Sequence, residues 1–512
     1  MRLCTMRRSH SMLIAMLALA GSAWGEGSTE AGQPTISTIK FVQLAQTQEM
    51  AEAACREAPN RRCVIELALA VTGTIQNKFE HTQALEIISR TQADGGDFDA
   101  ALTTISRIEN MLIRPSPLLD IAVAQAKAGD IDAAIGTAEK IEDTFDRTLA
   151  LTRMIDATAA RRNQAGAQAT IAAALAAAEA IDYANPRALA LSGVAESAAA
   201  AGDIPTAQKA IKLALAAVAA IPLAEGRSIA LPPVAEAQAT VGDFDAALAS
   251  GARIQSSSRR AETLARIAEA QAKVGSLEAA KATIAKAKAD ADAARGDPLR
   301  ESALVEIAKA QATAGDAKGA LATAGSMNDF RTVALFRMIE TYAAKGEDDA
   351  ALAATESIDD ETARGELMAA AAKAMVEAGR IEAAQRAIKT AAAAAGALAM
   401  PDDSRGAIRH TFLFGEIAEV QFLAGDPDGA RKTLNAMLEA TKGSNDPDLN
   451  DLTLALIVKS SARSGDAAGL LMTAARIERL GSRVEALTWI AEALPNYMKP
   501  SEGSGLIRTG IN

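Results

Sequence analysis

Aromatic residues make up only 3% of this 512-residue chain, and there are only three histidines and three cysteines. So few aromatics argue against one large globular core and against a surface that stacks on sugars. His81 and His410 have neither the spacing of zinc ligands nor a serine-based arrangement around them, so no metal, cofactor or catalytic set is expected. Scattered carboxylates single out no acid/base pair. Surplus positive charge is also missing: 53 Lys and Arg stand against 64 Asp and Glu, a formal net charge of -11. Nucleic acid is thereby excluded, because neutralising phosphates takes clustered cations. Beyond residue 25 no run of about eighteen uncharged apolar residues occurs, so no transmembrane span is expected in the mature chain.

The beginning of the chain does carry a signal. Arg2, Arg7 and Arg8 form a basic start, Met12 to Ala20 an apolar stretch too short to span a bilayer, and Ala23-Trp24-Gly25 the small residues a signal peptidase needs. Cleavage after Gly25 is expected, with export to a periplasm, and the loss of three arginines moves the net charge to -14. Cys4 lies upstream of the apolar stretch, so a lipid anchor is not expected. The other two cysteines, Cys55 and Cys63, flank a Pro59-Asn60 turn signal and are free to pair in an oxidising compartment; the alternative is two unpaired packing thiols.

What the chain has in abundance is a repeat. Ile121-Ala-Val-Ala-Gln-Ala-Lys-Ala-Gly-Asp130 returns almost unchanged at 234–243 and 307–316. Its turn glycines are Gly96, Gly129, Gly202, Gly242, Gly275, Gly315, Gly346, Gly379, Gly425 and Gly465, with Arg162-Asn163 filling the remaining turn. Successive turns lie mostly 33 or 40 residues apart, and the extra residues follow the turn, because the register ahead of it is constant. A large apolar residue recurs eleven residues before the turn, from Leu85 to Leu487. Within a copy, Leu264, Ile267, Ala268 and Ala272 share one helical face. Glycine can end a first helix in the left-handed conformation, and the aspartate after it can cap a second. A small residue, usually alanine, follows five positions after the glycine and permits close helix approach.

This glycine, acid and alanine turn resembles the tetratricopeptide repeat family, over roughly residues 80–497. The bulky aromatic and the tyrosine of that family are replaced, the latter by Gln92, Gln125, Gln238, Gln271, Gln311 and Gln421. The resemblance implies an all-α solenoid of antiparallel helix-turn-helix repeats, a superhelix whose first helices line a concave surface that binds protein or peptide. The expected organisation is a signal peptide (1–25), a linker (26–36), an N-terminal helical cap over the first repeat (37–80), about eleven hairpins plus a terminal helix begun at Arg483 (81–497), and a tail (498–512).

Two columns are candidates for function. The six glutamines are candidate protein-binding residues. Fifteen residues before eight consecutive turns stand Arg114, Arg147, Arg187, Arg227, Arg260, Arg300, Arg331 and Arg364, with His81, His410 and Asn450 in the other three copies. Seven and eleven residues onward the helix returns to within about 20° of the arginine, so arginine, isoleucine and glutamine share one stripe. The arginines either clamp the carbonyls of a neighbouring helix end or form a ladder for an acidic ligand. Asp446, Asp448 and Asn450 do not begin a calcium loop, since Asp451 and Ile457 replace its glycine and glutamate. The expected function is an exported, non-enzymatic scaffold that binds a protein or peptide, or else an accessory of polysaccharide export or cell-wall processing.

Overall fold

The repeat begins at a turn that few residue types accept. All ten turn glycines adopt φ between +75° and +96°, where a Cβ is strained, and Arg162 takes the same role at φ +57°. The next N–H closes back on a carbonyl five residues earlier, as from Asp316 to Gln311 and from Asp426 to Gln421, both at 2.8 Å, and so stops the first helix. The same side chains then start the second helix. Asp316 accepts from the Gly319 N–H at 2.9 Å, Asp426 from Gly429 at 2.9 Å, and Asn163 from Gly166 at 3.0 Å.

The computed structural model describes residues 55, 57–108, 115–356, 358, 360–397, 403–441 and 446–495. They contain twenty-four α-helices and no strand. Helix α1 (Arg61–Thr72) precedes eleven antiparallel pairs. These are α2 (Lys78–Asp94) with α3 (Phe98–Ser106), α4 (Pro115–Ala128) with α5 (Ile131–Ala138), α6 (Thr144–Ala160) with α7 (Gln164–Glu179), and α8 (Ala184–Ala200) with α9 (Ile204–Ala219). Next come α10 (Ala224–Thr240) with α11 (Phe244–Ala252), α12 (Ser257–Lys273) with α13 (Leu277–Ala293), α14 (Arg300–Thr313) with α15 (Ala317–Gly325), and α16 (Arg331–Lys345) with α17 (Asp348–Glu356). The last are α18 (Glu361–Glu377) with α19 (Ile381–Ala397), α20 (Ser404–Leu423) with α21 (Pro427–Thr441), and α22 (Pro447–Ser461) with α23 (Ala467–Ala474). A single first helix, α24 (Leu480–Ala493), follows.

Packing within a pair depends on the small residue after the turn: Ala101, Ala134, Ala207, Ala247, Ala280, Ala320, Ala351, Ala384 and Ala430 are all fully buried. Each first helix also packs on the first helix of the next pair, so the cores run on continuously. None of the described helices is long and apolar enough to cross a membrane.

The two ends of the array meet. Helix α1 packs against α24 in the place a second helix would take, and α24 packs against α2 as one first helix packs on the next. One core joins Val64, Leu67, Ala68 and Ile88 to Val484, Leu487 and Ile490, and the Thr91 hydroxyl bonds Glu492 Oε1 at 3.1 Å. Across the same junction the Arg61 guanidinium donates to the Thr91 carbonyl. A cap covering only the first repeat is therefore not what residues 61–72 form. They complete a twelfth pair and close the array into a ring, and a disulfide joins Cys55, itself buried in this core, to Cys63. The expected signal peptide, linker and tail lie outside the described residues.

Candidate functional site

Four clefts among the described residues lie on first helices, and that face is the candidate binding surface. Two positions after the arginine column it presents apolar side chains to solvent: Leu149, Leu189, Ile229, Val333 and Phe412, each about two-fifths exposed. Nine positions after the column stands a charge in every copy but that of Val123, including Asp156, Glu196, Glu236, Glu269, Lys309, Glu340, Lys373, Glu419 and Lys459. A cleft of ≈ 910 Å³ crosses α16, α18, α20 and the edge of α22, with Val333, Phe336 and Phe412 at its apolar wall and Glu366, Lys373, Glu416 and Lys459 around them. Burial, next to Glu366, raises the Glu416 carboxyl above its usual range, against the pull of Lys459 and Lys373.

A second, charged cleft of ≈ 550 Å³ runs from α8 to α16. Arg266 lies 3.0 Å from Glu236, 2.8 Å from Glu262 and 3.7 Å from Glu306. Burial opposes the charge on Arg266, but these three carboxylates outweigh it and raise the guanidinium above its ordinary value. Glu269 is likewise held below the carboxylate range by Lys273 and Lys309, despite its burial. Glu196 is pushed up to about 7, first by burial and then by Glu236, with Arg266 pulling the other way. The described residues contain no cluster of metal-ligating side chains.

Neither sequence column forms this surface. All six glutamines are buried, at 3–5% exposure, which corrects the expectation that they meet a partner. They face the second helix of their own repeat: the hydroxyls of Thr104, Thr323 and Thr433 donate to Gln92, Gln311 and Gln421 at 2.7–2.8 Å. A signal for this was present and was missed. Each of the six glutamines has a threonine or serine twelve residues on, namely Thr104, Thr137, Ser250, Thr283, Thr323 and Thr433, whereas Ala198, Tyr342 and Met375 have alanine there. Tyr342 is also the tyrosine that the resemblance calls for before the turn, present in one repeat; burial pushes its phenol up to about 12.

Four of the eight arginines hold backbone carbonyls at the ends of helices or just beyond them. Arg147, Arg227 and Arg260 donate to the carbonyls of Ile141, Ile221 and Ile254 at 2.7–2.9 Å, six residues earlier, and Arg483 does so to Ile477 at 2.9 Å. Arg300 reaches the Ala291 carbonyl at 3.0 Å, and Arg260 adds a two-point contact to Asp290. Arg364 lies 3.9 Å from Glu361, Arg187 is the fourth residue of α8 and Arg331 the first of α16, and Arg114 lies outside the described residues. The isoleucines at the receiving carbonyls are themselves buried, a column the sequence reading did not find. The residue after the arginine position also clamps the next repeat: Ser228 accepts from the Gln255 N–H at 3.0 Å, and Glu301 from those of Asn328, Asp329 and Phe330 at 3.0–3.1 Å. In this way Asp451 receives the N–H groups of Glu478 and Arg479, a role other than metal binding. His410 is buried edge-on to Phe414, and that burial lowers its pKa.

No family model matches the chain, and no curated protein matches it. Among solved structures, Ton1535 from Thermococcus onnurineus NA1 is similar at 17% identity and a TM-score of 0.34, over 73% of this chain and 98% of that one. Naa15/Naa10 bound to HypK-THB is similar at 16% and 0.27, over 89% and 79%. The APC/C hetero-tetramer Cut9–Hcn1 is similar at 11% and 0.22, over 90% and 95%.

Proposed function

We propose that this chain is an exported, non-enzymatic scaffold whose first-helix face binds a protein or peptide. The observation that carries the reading is the ≈ 910 Å³ cleft on α16, α18 and α20, where Val333, Phe336 and Phe412 are 37–45% exposed beside ordered charges. Solvent-exposed aromatic and branched side chains set in a charged rim suit a polypeptide, which offers apolar side chains and charges together. The basic and apolar N-terminal residues, together with a disulfide at Cys55–Cys63, support export to an oxidising compartment.

The test is site-specific photocrosslinking in intact cells, with benzoylphenylalanine at Val333 or Phe412 and, as the contrasting face, at Ile381 or Leu438 on second helices. Polypeptide adducts are expected from the first pair only, and are expected to disappear in Phe336→Asp. Adducts from second helices alone would sink the reading. Mass spectrometry of the periplasmic fraction is expected to find a mature chain beginning at Glu26; retention of residues 1–25 would remove the export proposal.

A further inference from the structure

The walls of the ≈ 910 Å³ cleft offer side chains rather than backbone. α16, α18 and α20 are α-helices, whose main-chain donors and acceptors bond one another away from the helix ends. An extended peptide laid across them would bury its own N–H and C=O groups without partners, which is costly for each group. A helical occupant brings its backbone already satisfied. The volume suits one, since two turns of a helix about 10 Å across and about 5.4 Å in pitch fill about 850 Å³.

The middle of the cleft is shaped by a change at one repeat position. Six residues after the arginine position, α6, α12, α14, α16 and α20 carry Arg153, Arg266, Glu306, Arg337 and Glu416, whereas α18 has Ala370. Ala374 follows one turn on and Ala378 ends the row, so the floor is made of methyl groups. Val333 and Phe336 stand on the α16 side and Phe412 on the α20 side, all 37–45% exposed. Larger apolar walls on either side of a low floor let a helix settle between them.

The charges around the floor do not balance. Arg337 pairs with Glu340 at 3.2 Å, Arg409 reaches over to Glu366 at 2.7 Å, and Lys373 and Lys459 each lie 3.5 Å from Glu419. Every cation of the cleft is thus engaged. Glu377 and Glu416 remain without an ion pair or hydrogen bond among the described residues, and Lys373 and Lys459 act on Glu416 only from beyond ion-pair distance. Along the lining, Glu340, Glu366, Glu377, Glu416 and Glu419 outnumber Arg337, Lys373 and Lys459. The surplus is negative, and it lies beside the apolar walls.

We propose that this cleft seats a basic amphipathic helix of a partner protein, whose apolar stripe packs between Phe336 and Phe412 over Ala370 and Ala374, and whose lysines or arginines meet Glu416 and Glu377. The proposal rests on the reading of the first-helix face as a polypeptide-binding surface, and names the conformation and charge of what that face takes.

The probe is a fluorescein-labelled eighteen-residue peptide with leucines at i, i+3, i+4 and i+7 spacing and lysine and alanine elsewhere, read by fluorescence anisotropy against the full chain. It is compared with a scrambled copy, a copy with two central prolines, and a copy with glutamine for each lysine. Scrambling or proline is expected to weaken binding at least tenfold, and glutamine at least fivefold. Ala370→Leu, which fills the seat, is expected to melt with the parent and bind at least tenfold more weakly, whereas Ala393→Leu on the second helix α19 keeps full affinity. Glu377→Gln/Glu416→Gln is expected to weaken the lysine peptide at least fivefold and its glutamine copy less than twofold. The proposal is overturned if the parent does not bind the lysine peptide, if the scrambled or proline copy binds as well, or if a folded Ala370→Leu keeps full affinity. Were that variant to lose its fold, the peptide copies measured on the parent decide alone. Polypeptide crosslinks at Phe412 that persist when those results fail would leave the scaffold reading standing and remove only the helix.

Discussion

Gln311 and Thr323 show what a single buried pair contributes. Their hydrogen bond satisfies a side chain that is 3% exposed, and an unmade bond at such a site costs about 1–3 kcal/mol. Gln311→Ala is therefore expected to lower stability by about that amount in urea titration. Adding Thr323→Ala recreates the alanine pairing of Ala198 with Ala210 and is expected to recover part of it; a double variant weaker than the sum of the singles would refute the pairing. Arg260→Ala removes the donors to Ile254 and Asp290 and is expected to cost about 1–3 kcal/mol, with methionine restoring the share that belongs to stem packing. Glu196 adds a pH dependence. Its folded-state pKa of about 7 lies above the ordinary 4.5, so between these values the folded chain holds a proton that the unfolded chain has released. Stability from this group thus falls as pH rises through that window. Glu196→Gln is expected to flatten the decline of melting temperature from pH 4.5 to 7 and to melt above the parent at pH 8; an unchanged slope would show that Glu196 does not titrate there.

At the scale of one helix pair, the turn decides how well the two helices join. Ten turns use glycine at positive φ, and one forces Arg162 into the same region at φ +57°. A non-glycine residue there is strained by about 1–2 kcal/mol. Arg162→Gly is expected to raise stability by about 1 kcal/mol, since glycine's added freedom in the unfolded chain takes back some of the relief. Gly315→Ala is expected to change it in the opposite direction. Circular dichroism melts of both variants check the pair, and a fall in melting temperature for Arg162→Gly would contradict the turn geometry. The pairs also differ in second-helix length, from the eight residues of α5 to the seventeen of α13, without disturbing the first helices. The first helices keep one register because inter-repeat clamps such as Glu301 and the arginines act at their starts, and the length variation falls on the other end of the second helix.

Across the whole repeat unit, closure is the property on which stability turns. An open array would leave the apolar side of α24, with Val484, Leu487 and Ile490, facing water, and α1 covers it. Deleting the chain through Thr72 is expected to expose that side and the facing edge of α2, giving dye binding and self-association in light scattering; a monomeric truncation with the parent's melting temperature would rule out a closing role. Closing the ring also means that the end repeats no longer fray independently, so unfolding is expected to be more cooperative than a sum of nearest-neighbour terms.

The sequence by itself determined the helices, their pairing within each repeat and the turns between them. These rest on interactions at short separation: Gly315 stops one helix, Asp316 starts the next, and Ala320 lets the two approach. It also narrowed the arginine column to two roles, because one stripe cannot serve both core and solvent along its full length. Burial of the glutamines was legible in the threonine twelve residues on, but only once the two positions were known to face each other across the pair. Ring closure was decided by the tertiary structure alone. The rotation between successive pairs is a small angle set by side-chain packing, and only its accumulation over twelve pairs brings α24 to α1, some four hundred residues apart in the chain. The first-helix surface depends on that same packing. Leu189 and Ile229 read in sequence as ordinary helix residues, and they line one cleft because consecutive first helices pack side by side.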